Sequence, residues 1–128
     1  NYMKTATAIK NVYLINQDYS FGHSVRTAAK SMLGAKRPDI KIVGDELHPL
    51  LKITDFAPYI AKRKASGADT VVTGNWGQDF ALLLKAAADA PPVEKQQCCV
   101  MANVSLNFVM KATYSSRPLT ITVVTARR

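Results

Sequence analysis

Asn11-Val12-Tyr13-Leu14-Ile15-Asn16-Gln17-Asp18-Tyr19-Ser20-Phe21-Gly22-His23 is the stretch that decides the fold class. Asn11 to Asn16 is an apolar, β-favouring run that stops at the polar cluster Gln17-Asp18-Tyr19-Ser20, as a buried strand does on entering a loop. Beyond Gly22 the pattern becomes helical: Val25, Ala28, Ala29, Met32 and Leu33 recur at helical spacing, and Gly34 stands where a left-handed C-cap belongs. Strand, loop and helix therefore follow in order.

The same unit recurs twice. Pro38-Asp39 turns the chain into a short strand over 40–43, ending at Gly44-Asp45, and a loop runs from Glu46 to Ile53. Thr54 or Asp55 begins the next helix, where an early Pro58 costs little because the first turn has no use for its missing donor. Phe56 and Ile60 give that helix its apolar side, Lys62-Arg63-Lys64 suit its C-terminal dipole, and Gly67 closes it. Thr70-Val71-Val72-Thr73 is β-branched in the manner of an interior strand. A third helix follows over 77–88, with Phe80, Leu83, Leu84 and Ala87 on one face, and Pro91-Pro92 ends it.

Strands near 11–16, 40–43 and 70–73, with helices near 22–33, 55–66 and 77–88, predict an α/β fold: a three-layer parallel sheet with helices on both faces. Residues 1–90 are expected to form an α/β ligand-binding lobe, and 91–128 a divergent segment that completes the same domain. Within that segment 97–104 is a candidate fourth strand, 106–112 stays open, and 119–125 alternates as a strand should.

The chain has 128 residues, 17 Lys plus Arg and 9 Asp plus Glu, for a net charge of +8. One domain is the expected count. No stretch approaches the ~20 apolar residues that span a bilayer, and the start lacks the apolar run of an export signal. Residues 96–128 hold Lys111, Arg117, Arg127 and Arg128 without one acid. Basic residues are otherwise spread along the chain rather than clustered on one face with aromatic or polar readers between them, so a solvated basic surface is expected and no nucleic-acid partner. Cys98-Cys99 are adjacent, which fits neither a disulfide framework nor a zinc set.

Ligands of an open parallel sheet sit beyond the carboxyl ends of its strands. Tyr19, Phe21, His48, Asn75 and Trp76 all fall there, supplying rings to cover an apolar group and polar groups to orient it. These five are the candidate ligand-binding residues; Phe21 and Trp76 are expected on one rim, partly exposed. No phosphate-binding GxxxxGK[ST] or GxGxxG occurs, Ser20-Phe21-Gly22 is not a nucleophile elbow, and neither histidine has a Ser or Cys partner nearby in sequence. His23 and His48 with Asp45 and Glu46 form a poor metal set, since His23 belongs to a helix's first turn and Asp45-Glu46 read as a solvated loop. No catalytic residue, metal or cofactor is expected.

Four blocks of sequence resemble the periplasmic substrate-binding proteins of branched-chain amino acid ABC transporters, the type I binding-protein fold. They are the run Lys10 to Ser24, the loop Gly44-Asp45-Glu46-Leu47-His48-Pro49, the helix start Thr54 to Lys62 and the string Ala65-Ser66-Gly67-Ala68-Asp69-Thr70, in unbroken register over about residues 8–90. The resemblance implies a non-enzymatic receptor whose two lobes close on an amino acid or related solute and present it to a membrane permease. This chain corresponds to the second lobe, in a periplasmic protein whose signal peptide and other lobe lie outside the chain. It also implies that Phe21 covers the ligand with Tyr19 beside it, and that Gly74-Asn75-Trp76-Gly77 lines the cleft. Where some members carry a carboxylate for the ligand ammonium this chain has Ile53, so an amino acid, an amide and a carboxylate all stay open. From Pro91 onward the family's pattern is lost. The alternatives are a ligand-sensing domain of a regulator, for which no helix-turn-helix is visible, and a flavodoxin-like α/β enzyme using His23 or His48.

Overall fold

The computed structural model describes residue 7 and residues 9–90, 97–100 and 120–123. The elements are β1 (Asn11–Gln17), α1 (Ser20–Lys36), β2 (Lys41–His48), α2 (Ala57–Ala65), β3 (Thr70–Thr73), α3 (Gly77–Asp89), β4 (Gln97–Val100) and β5 (Thr120–Val123). All four pairings are parallel, in the spatial order β2-β1-β3-β4-β5. The α/β parallel sheet expected from the sequence is thus present, and β4 and β5 fall inside the two later candidate stretches. The open stretch 106–112 lies outside the described residues.

The strand order dictates where the helices go. The step from β1 to β2 runs one way along the sheet and the steps from β2 to β3 and β3 to β4 run the other, so right-handed crossovers put α1 on one face and α2 with α3 on the opposite one. The core divides accordingly. Val12 and Leu14 of β1, with Val72 of β3, meet Ala29 and Leu33 of α1. Tyr13 and Ile15, with Val71, meet Phe56, Ile60 of α2 and Leu83 of α3. Every β1 residue from Val12 to Gln17 is buried, which is why the strand reads as a continuous apolar run rather than an alternating one.

Two boundaries differ from the sequence expectation by more than two residues, for identifiable reasons. β2 does not end at Gly44-Asp45: it continues to His48, so Asp45 and Glu46 belong to a strand and not to a solvated loop. Gly44 is in mid-strand because the Tyr13 ring lies over it; a Cβ there would stand 2.1 Å from Tyr13 Cε2. Val43 is the extra residue of a bulge, since Val12 pairs with Ile42 and Tyr13 with Gly44. Asp45 is bound by Arg26 Nε at 2.7 Å and by Lys30, which ties the sheet edge to α1. Burial raises the Asp45 carboxyl, but those two cations outweigh it and hold the group below its ordinary value.

Nor does Gly34 cap α1, which runs on to Lys36. Arg37 ends it, its amide donating to Leu33 O at 2.8 Å while its guanidinium forks onto Asp39 and reaches Ile9 O at 2.9 Å. Pro38 then stops further winding. Carboxylates also close the amino end of the sheet. Asp69, just before β3, accepts the Lys10 and Asn11 amides at 2.9 and 3.1 Å, and Lys10 Nζ meets Asp39 at 3.1 Å.

Candidate functional site

Because the chain leaves β1 toward one face and β3 toward the other, the ends of these adjacent strands form the point where the strand order reverses, the place at which ligands of open parallel sheets bind. The loop after β1 brings Tyr19 to it and the first turn of α1 brings Phe21; the loop after β3 brings Asn75 and Trp76. Gly22 makes the first of these possible, since the start of α1 passes so close to β1 that a Cβ would fall 1.8 Å from Gln17 O.

Three of the candidate residues meet at this rim. The Tyr19 ring lies 6.1 Å from Phe21, tilted by 46°, and 6.4 Å from Trp76, edge to face at 68°. Trp76 Nε1 donates to Tyr19 Oη, joining the two loops. Trp76 is 45% exposed, and Tyr19 and Phe21 are half-buried, as the rim expectation required of Phe21 and Trp76. Phe21 stands in the first turn of α1 rather than in the loop before it.

His48 and Asn75 are placed otherwise. His48 is the last residue of β2 and fully enclosed, edge to face with Phe56 at 4.9 Å; Asn75 is likewise buried. They bond each other inside the protein: His48 Nε2 lies 3.0 Å from Asn75 Oδ1, and Nδ1 lies 3.1 Å from Pro49 O. His23 is elsewhere, exposed at the start of α1, with Nε2 2.8 Å from Asp18 Oδ1. Among the described residues no three His, Cys, Asp or Glu side chains gather as a metal site would require.

Sequence reading missed the polar layer under the rim. Asn16 Oδ1 accepts the Gly74 amide at 2.8 Å, and Gln17 Nε2 donates to Asp79 Oδ2 at 2.8 Å. Asp79 Oδ2 also takes the amide of Leu51 at 2.9 Å, holding that residue at a φ of +53°, a conformation side chains other than glycine rarely adopt. Asp79 sits in the first turn of α3, where the helix dipole favours its charge. Asn16 Nδ2, Gln17 Oε1, Asn75 Nδ2 and Asp79 Oδ1 are buried without a partner among the described residues. The signal for this layer was the polar ending of an otherwise apolar strand, Asn16-Gln17, which reads equally well as the start of a loop. The arrangement as a whole sets exposed rings beside a layer of buried hydrogen bonds.

A family model described as periplasmic binding protein matches residues 1–112. The Leu/Ile/Val-binding protein homolog 4 of Brucella abortus is 44% identical over 81 residues, which cover 63% of this chain and 19% of that protein. Among solved structures, the leucine-, isoleucine-, valine-, threonine- and alanine-binding protein from Brucella ovis in its closed conformation is similar with a TM-score of 0.69 at 37% identity, covering 77% of this chain and 25% of its own. A solute-binding protein of an R. palustris ABC transporter, in complex with 4-hydroxybenzoate, gives a TM-score of 0.65 at 25% identity, covering 78% of this chain and 27% of its own. The chain thus spans about a fifth to a quarter of the length of these relatives.

Proposed function

The chain belongs to the periplasmic binding protein family, and we propose that it forms one lobe of a solute-binding receptor of an ABC importer. In this reading residues 1–90 make up the ligand-binding lobe and 91–128 complete it; the pairing of β4 and β5 onto the same sheet supports that division. The receptor works in the periplasm, closes on an amino acid or a related amide or carboxylate, and hands it unchanged to a membrane permease. Tyr19, Phe21 and Trp76 form this lobe's wall against the solute. Asn75 and His48 hold that wall from below.

The observation that carries the reading is the meeting of Tyr19 and Trp76 across the β1/β3 switch point. Residues 57 apart in sequence converge there and leave the largest ring of the chain nearly half exposed beside two further rings, and such a cluster supports a ligand-facing wall. A single lobe supplies half the contacts. Each missing charge-assisted hydrogen bond is worth roughly 1.5 to 3 kcal/mol, so two of them remove about two to four powers of ten in affinity. Calorimetry on the chain with leucine, valine and 4-hydroxybenzoate is expected to show no tight binding. Joining it to the complementary lobe of the Brucella ovis relative should restore tight binding of one solute class, and Trp76→Ala should abolish it. Tight binding or turnover by the chain alone would overturn the proposal.

A further inference from the structure

We infer that His48 is a proton-operated latch between the two loops of the rim: with a second proton its ring holds Asn75 in place, and on losing that proton it lets the Asn75 amide turn and the Trp76 loop move. The latch is read from its connections. His48 O accepts the Asp18 amide at 2.8 Å, one residue before Tyr19, and the His48 ring meets Asn75, one residue before Trp76. One enclosed residue thus grips both loops next to the rings they carry. The inference concerns the loops themselves; only its consequence, a solute affinity that changes with pH, rests on the rim being the ligand wall.

The chemistry lies in the two partners of the ring. Nε2 stands 3.0 Å from Asn75 Oδ1 and Nδ1 stands 3.1 Å from Pro49 O, and both oxygens can only accept. A neutral imidazole has one N–H and leaves a lone pair facing an oxygen, whereas the imidazolium has two and satisfies both. When the neutral ring donates to Pro49 O, its Nε2 needs a donor, which the Asn75 amide supplies by turning over. Asn75 Nδ2 is buried with no partner among the described residues, so no bond at that end resists the turn. Facing the ring are Tyr59 of α2 at 6.0 Å, Glu46 two residues back on β2 with its partner Lys62 of α2, and, through Gln17 of β1, Asp79 of α3 with its open Oδ1. Tyr13 of β1 stands beyond Glu46, and the Asp18 carboxylate is turned to His23. Two carboxylates, Glu46 and Asp79, against the one ammonium of Lys62 leave a negative balance around the ring, which its second proton offsets.

The test is a titration of the whole chain without any solute, carrying His23→Gln so that His48 is its only histidine, from about pH 8 to pH 5, the range in which histidine changes charge. Proton–nitrogen NMR reads the His48 ring nitrogens, the Asn75 side-chain amide and the indole of Trp76, the chain's one tryptophan. One ring nitrogen is expected to carry a proton at the alkaline end and both at the acid end, with the Asn75 and Trp76 signals shifting at the same midpoint. The unsubstituted chain, where exposed His23 titrates as well, should give that same midpoint for His48 and Trp76. A His48 ring that keeps one charge state throughout, or one that titrates while Asn75 and Trp76 stay still, would overturn the inference. Either result leaves the rim's role as ligand wall to be decided by the calorimetry on the joined lobes.

Discussion

Gly22→Ala and Gly34→Ala make one chemical change in one helix, yet they should move stability in opposite directions. At Gly34 an added methyl meets nothing within 4 Å, so the substitution only removes glycine's entropic penalty and should stabilise the fold by about 0.5 to 1 kcal/mol. At Gly22 the same methyl would stand 1.8 Å from Gln17 O and 2.8 Å from its carbonyl carbon. Ordinary carbon–oxygen contact begins near 3.3 Å, so the start of α1 would have to withdraw by about 1.5 Å. That movement is opposed on both sides, because Gln17 O accepts the Tyr19 amide at 2.9 Å and the Gln17 side chain is bound to buried Asp79 at 2.8 Å. Overpacking of this kind costs roughly 1 to 3 kcal/mol, with ~1 kcal/mol or more added if the buried bond breaks. Set against the helix gain, the net loss is about 1 to 3 kcal/mol, or a fall of roughly 4 to 12 °C in Tm for a domain of this size. Thermal unfolding followed by circular dichroism decides the matter, and the double mutant should show additive shifts because the sites lie about 18 Å apart along the helix. A rise in Tm for Gly22→Ala comparable to that for Gly34→Ala would refute the close approach of α1 to β1.

The buried carboxylate of Asp79 serves two donors, Gln17 Nε2 and the Leu51 amide. Asp79→Ala should therefore lower stability by about 2 to 5 kcal/mol in denaturant titration and speed hydrogen exchange at Leu51. Burial first, and the Glu46 carboxylate second, push the Tyr13 hydroxyl up to about 12; unfolded tyrosine ionises near 10, so the folded state holds more protons between these values. Stability should be level below pH ~10 and fall as pH rises toward ~12, and Tyr13→Phe should flatten that fall in unfolding midpoints measured across the range. At the acid side, Arg37 and then Lys10 hold the Asp39 carboxyl well below the usual carboxylate range. The stability it lends is complete above pH ~4 and is lost as pH falls, so Asp39→Asn should shallow the acid limb of the same profile.

What could be read from the chain followed the apolar pattern. β1, β3 and α3 stand close to their expected limits because each is announced by residues that face the core: Val12 to Ile15, Val71 with Val72, Leu83. β2 was cut short because glycine and two acids ordinarily mark a loop, whereas here Gly44 makes room for a ring from the next strand and Asp45 pairs with Arg26 and Lys30 of α1. Both partners are distant in sequence, so no local rule contains them. Gly34 misled in the reverse sense: the signal that ends α1 is the fork of Arg37 onto Asp39, with Pro38 between them. At the site, the exposed rings were legible from their place after strand ends. The polar floor was not, because the bonds of Asn16 to Gly74 and of Gln17 to Asp79 span 58 and 62 residues.

The two ends of the sheet are fastened by different chemistry, and that gives them different responses to dissolved salt. The amino end relies in part on charges open to solvent, Lys10 on Asp39, whose attraction weakens as ions shorten the screening length from about 10 Å at 0.1 M to about 3 Å at 1 M. The bonds under the rim, Gly74 to Asn16, Gln17 to Asp79 and His48 to Asn75, are enclosed by protein and beyond the reach of mobile ions. A change in ionic strength therefore acts first at the end remote from the rings, and the enclosed bonds at the other end hold in brine as in dilute buffer.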